Sequence, residues 1–64
     1  MPIVTVQQSP RDLPRKRILV EGITAAFVEA YGIPPDHVQV FIHEVGHEHW
    51  AKAGVLAADR PSAP

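Results

Sequence analysis

The sequence contains no cysteine, and its apolar runs fall far short of a membrane span. Without cysteine there are no disulfides and no thiolate metal sites. Without roughly 18 consecutive apolar residues there is no transmembrane helix. A formal net charge of -1 argues against coating a polyanion, so neither nucleic acid nor membrane is an expected partner. A cytoplasmic location is expected, because the lack of cysteine is compatible with a reducing compartment and no basic-then-apolar leader precedes the first strand.

What remains is short. A chain of 64 residues has room for one domain and buries only about 60% of the surface its unfolded form exposes. Small domains make up such a deficit with disulfides, metal or oligomerisation. With the first excluded, a homo-oligomer is the leading expectation.

The opening run Ile3-Val4-Thr5-Val6-Gln7 is β-branched and ends at Ser9-Pro10, which predicts a strand beginning directly at Pro2. Asp12 is placed to cap a following helix, and Pro14 is tolerated in its first turn. Leu19, Ile23, Ala26, Phe27 and Ala30 recur at helical spacing, and Gly32 is a suitable stop. A second apolar set, Ile18, Val20, Ala25 and Val28, lies off that stripe and suits a subunit interface or plain exposure.

After the rigid turn Ile33-Pro34-Pro35-Asp36, Val38, Val40 and Ile42 alternate with Gln39, Phe41 and His43, the pattern of a half-buried strand over Val38 to Val45. Strand, helix, strand in this order predicts parallel neighbours with a right-handed crossover, a single β-α-β unit of the α/β (α+β) class. Gly46 to Leu56 is expected to form a C-terminal hairpin or an arm that packs on another subunit. The domain is therefore placed at residues 1–57, with a flexible tail at 58–64.

Chemistry is expected first at Pro2. If the initiator methionine is removed, the mature chain starts with a secondary amine. An α-amine titrates near about 7.7–8.0, and burial or nearby cations depress it, leaving free base at neutral pH. A plain terminal proline is the simpler account of this residue alone. Arg11, Arg15, Lys16 and Arg17 cluster where the helix begins, an end that already carries partial positive charge. A bound carboxylate would resolve that conflict, as would a solvated face with Asp12 and Glu21 nearby.

His43-Glu44-Val45-Gly46-His47 matches the H-E-x-x-H pattern of zinc peptidases. That chemistry needs a helix. On a strand the two histidines stand roughly 13 Å apart, too far to share one ion. The preceding alternation argues for a strand, so no metal site and no cofactor are assigned, and surface or interface histidines are the expected reading.

Taken together, Pro2-Ile3-Val4-Thr5-Val6 at the start, Arg11 leading into Lys16-Arg17, and Val38-Gln39-Val40-Phe41-Ile42-His43-Glu44-Val45 before Trp50 resemble the 4-oxalocrotonate tautomerase family. The resemblance covers Pro2 to about Ala57. It implies a tautomerase-like fold and an isomerase that interconverts keto and enol forms of a small carboxylate-bearing enol or 2-oxo acid. Pro2 would be the general base. Arg11, matched if one residue is missing from the preceding loop, would bind the substrate carboxylate, and Trp50 would wall the pocket.

The resemblance also implies assembly, hexamers being favoured and dimers or trimers possible, with sites drawing on neighbouring chains. Gln39 stands where the best-studied members carry a second arginine, which weakens that contact to a neutral hydrogen bond and puts a dicarboxylate substrate in doubt. Hydratase or dehalogenase-like chemistry on an unsaturated acid is an alternative on this scaffold, as is a noncatalytic assembly role.

Overall fold

The computed structural model describes residues 1–61. Strand β1 (Ile3–Gln8) leads through a short loop into helix α1 (Leu13–Tyr31). A 3-10 turn at Pro35–His37 precedes β2 (Gln39–Glu44), and β3 (Ala51–Lys52) and β4 (Val55–Leu56) form a small hairpin before a second 3-10 turn at Ala57–Asp59. No helix among the described residues is long and apolar enough to cross a membrane. Of the segment expected to be a tail, residues 62–64 lie outside the described part.

The helix boundaries follow from local chemistry. Asp12 adopts extended geometry and its carboxylate accepts the Arg15 backbone N–H at 3.2 Å, while Pro14 sits in the first turn, where an N–H would be unsatisfied anyway. At the other end Gly32 takes φ 64° and donates its N–H to the Val28 carbonyl at 2.9 Å, a left-handed cap that glycine adopts without a Cβ penalty.

β1 and β2 pair in parallel, Ile3 opposite Gln39 through Gln8 opposite Glu44. Backbone bonds from Gln39 to the Pro2 carbonyl (3.0 Å) and from Val45 to the Gln8 carbonyl (2.8 Å) extend the ladder beyond both strands. Alternation puts Val4, Val6, Gln8, Val40 and Ile42 on the half-buried side that faces the helix. Ile3, Thr5, Gln7, Gln39, Phe41 and His43 occupy the opposite, exposed side.

The helix stripe differs from the expected one. Lys16, Val20, Ile23, Thr24, Phe27 and Val28 are the half-buried positions, whereas Leu19, Ala26 and Ala30 are exposed. Val20 and Val28, read as an off-stripe set, belong to the packed face, while Ile18 is 70% exposed. The reason is physical: α1 carries apolar residues around much of its circumference, so spacing alone defines no unique inward side.

The hairpin turns through Ala53 (φ 53°) and Gly54 (φ 79°), two left-handed residues in a row, which is the conformation that matches the twist of a two-residue hairpin. It is anchored backward by Ala57 N–H to Trp50 O and Ala58 N–H to His47 O, both at 3.0 Å. Among the described residues only Ala57 is buried. The radius of gyration, 15.0 Å, exceeds the roughly 11 Å of a compact chain this long. A lone subunit therefore has almost no core of its own.

Candidate active site

The expected site residues fall into two groups at opposite ends of the parallel sheet. Pro2 heads β1, and its carbonyl accepts the Gln39 N–H, so parallel pairing places Gln39 beside it. The Gln39 amide Nε2 reaches the Met1 sulfur at 3.2 Å, and Met1 is 77% exposed. While Met1 is attached, the nitrogen of Pro2 is a tertiary amide whose lone pair is delocalised and not basic.

Arg11 lies past the far end of β1, in the loop before α1. Its backbone N–H donates to Glu44 Oε2 at 3.0 Å, and Lys16 Nζ donates to the same oxygen at 2.8 Å. The Lys16 hydrogen bond and then the Arg11 amide hold the Glu44 carboxyl below its ordinary value of 4.5 against the opposing effect of desolvation, with the Lys16 charge adding least. Arg15 pairs with Asp12 at 3.5 Å, an exposed contact. Among the described residues no hydrogen bond or ion pair engages the Arg11 guanidinium.

A hollow of about 200 Å³ is lined by Gln8, Arg11, Arg15, Lys16 and Leu19. Trp50 and His49 line a neighbouring hollow of about 410 Å³ with Gln7, Gln8, Ser9 and Val45. Gln8 borders both, and its amide nitrogen is shielded from solvent without a hydrogen-bond partner among the described residues. Arg11 and Trp50 thus share an end of the molecule.

Pro2 and Gln39 lie together at the other end. At about 3.3 Å per residue, the run from Pro2 to Gln8 spans roughly 20 Å, beyond the reach of a small acid. One chain alone brings together two pairs, not four residues.

The H-E-x-x-H segment is not helical. His43 lies on β2 and His47 in the turn beyond it, which removes the one-turn spacing that a shared zinc requires. Glu44 of that segment, absent from the expected site residues, instead ties the β1–α1 loop to β2. Its partners lie 33 and 28 residues away, a separation that strand alternation does not reveal.

The chain thus combines a β-α-β unit that carries Pro2 at the head of its first strand with a cationic hollow at the far end of the sheet. The chain belongs to the tautomerase family: the model of the family described as Tautomerase enzyme matches residues 2–60. It is similar to the 2-hydroxymuconate tautomerase of Comamonas testosteroni, 44% identical over 45 residues that cover 70% of this chain and 71% of that protein. A probable tautomerase of Bacillus cereus is 38% identical over 61 residues, covering 94% of this chain and all of the relative. A solved 4-oxalocrotonate tautomerase homologue superposes with a TM-score of 0.86 at 32% identity, covering 97% of this chain and 100% of the other. The chain is accordingly an isomerase of the 4-oxalocrotonate tautomerase type.

Proposed function

We propose that the enzyme shifts a proton within a small carboxylate-bearing enol or 2-oxo acid, with Pro2 as general base once Met1 has been removed. The observation that carries this reading is the position of Pro2, at the head of β1 with the Gln39 amide alongside. High exposure of Met1 suits its removal, which converts a non-basic amide into a secondary amine and frees the Gln39 amide from the methionine sulfur.

In the forward direction the neutral Pro2 nitrogen takes the proton of the substrate's enol hydroxyl, becoming an ammonium. It then delivers that proton to a carbon of the conjugated chain as the carbonyl forms, and returns to the free base. Gln39 donates a hydrogen bond to the oxygen that carries charge during transfer. Arg11 holds the carboxylate, and Trp50 excludes water from the reacting atoms.

Because the two pairs lie roughly 20 Å apart along one sheet, Pro2 and Gln39 of one subunit work with Arg11 and Trp50 of another. A homo-oligomer, with a hexamer favoured, meets this need, and the thin core and the exposed Ile3 and Phe41 side of the sheet support it.

Mass spectrometry of the native N-terminus, combined with ketonisation assays on 2-hydroxymuconate and phenylenolpyruvate, tests the reading. Loss of Met1, turnover of at least one substrate and its collapse in Pro2→Ala are expected. Retained methionine in an active sample, or undiminished turnover by Pro2→Ala, would reject proline as the base.

A further inference from the structure

Arg11 lies in the loop that follows β1 and precedes α1. Three contacts hold that loop. Val45 N–H bonds the Gln8 carbonyl, Asp12 caps α1 by accepting from Arg15, and between them the Arg11 amide itself bonds the Glu44 carboxylate. The last is the one contact made by the residue whose position matters.

Charge adds a second requirement. A bare carboxylate within hydrogen-bond reach of the Arg11 backbone would compete for its guanidinium and repel an incoming anion. Lys16 takes up the same Oε2 at 2.8 Å, with side-chain exposures of only 24% for the lysine and 33% for the glutamate. The pair therefore neutralises itself and leaves the Arg11 guanidinium without a partner among the described residues, while Arg11 lines the hollow with Gln8, Arg15, Lys16 and Leu19.

We propose that Glu44, neutralised by Lys16, is a positioning residue that sets the Arg11 backbone and keeps its guanidinium available for the substrate carboxylate. This rests on the tautomerase reading given above, in which Arg11 is the carboxylate anchor. Glu44 touches no reacting atom, so its removal acts on binding and leaves the proton-transfer step alone.

The experiment measures KM and kcat of Glu44→Ala, Glu44→Gln, Lys16→Met, Arg11→Ala and the Arg11→Ala/Glu44→Ala double variant in the assembled enzyme, with circular dichroism and size-exclusion chromatography as checks on folding. Hydrogen exchange of the Arg11 amide is followed in parallel. Glu44→Ala is expected to raise KM about tenfold with kcat within about twofold, and to expose the Arg11 amide to exchange. Glu44→Gln keeps a carbonyl acceptor for that amide and restores its protection. Lys16→Met, which leaves the carboxylate unneutralised, raises KM about threefold.

In the Arg11→Ala background the Glu44→Ala cost should vanish, because the effect passes through Arg11. A KM increase of the same size in that background, an unprotected Arg11 amide in the parent enzyme, or a kcat loss as large as the KM rise would overturn the proposal. An unchanged KM in Arg11→Ala with the amide still protected would reject the anchor role of Arg11 itself, and the proposal with it, while leaving the Glu44 contact standing.

Discussion

The two ends of the β1–β2 sheet are built from opposite materials. At the start of the strands, Pro2 and Gln39 are joined by a backbone bond, and the neutral Gln39 amide reaches the Met1 sulfur. At their finish, Glu44, Lys16, Arg11 and Arg15 concentrate charge around the loop into α1. A base that must be uncharged gains from surroundings that do not favour its protonated form, whereas an acid-binding end needs fixed, permanent cations. Parallel pairing keeps these two groups apart within one subunit, and the proposed function has a second subunit bring them together.

Pro2→Ala is the strongest way to break this contrast. A primary amine on a residue that lacks the pyrrolidine ring should lower kcat/KM by about 10²- to 10⁴-fold, the usual contribution of a positioned acid-base group. Loss below about tenfold, measured on the processed enzyme, would show that the neutral end does not carry the chemistry.

Making the neutral end cationic sharpens the contrast. Gln39→Arg is expected to raise kcat/KM for a dicarboxylate relative to a monocarboxylate by about tenfold, because a guanidinium fork recognises a second carboxylate far better than an amide does. Parallel changes for both substrates in a competition assay would mean that position 39 does not select between them.

The charged end continues into the hairpin that follows Trp50, where Ala53 holds a left-handed conformation. Ala53→Asn should stabilise the folded enzyme by about 1 kcal/mol, since asparagine followed by glycine is favoured in this turn and alanine is not. Urea unfolding at fixed protein concentration checks it; a lower midpoint would reject the turn assignment.

The smallest effect is a pH dependence at Glu44. Its carboxyl lies below 4.5 in the folded chain, so the stabilisation is complete above that value and is lost as pH falls through the lower folded value. The gap in melting temperature between the parent and Glu44→Gln should therefore narrow as pH drops from 6 to below about 4.5. A gap that stays constant would show that the Lys16 contact contributes nothing.

Much of this architecture was legible in the residues because its causes are local. β-Branched alternation marks β1 and β2, Asp12 and Gly32 mark the ends of α1, and the resemblance to 4-oxalocrotonate tautomerases agrees with the family to which the chain belongs. The inward side of α1 was not legible, since Leu19 and Val20 are equally apolar and only the packed sheet distinguishes them. Glu44 was obscured by a motif whose chemistry presumes a helix, although it ends a strand.

Order and type of elements and the caps of α1 were set by the sequence alone, because each depends on neighbours a few residues away, while Pro2, Gln39, Arg11 and Trp50 were singled out by the family resemblance. Which of those residues meet was decided by the tertiary structure. Pairing in parallel aligns Gln39 with the start of β1 and Glu44 with its end, and a distance along a strand cannot be shortened by side chains.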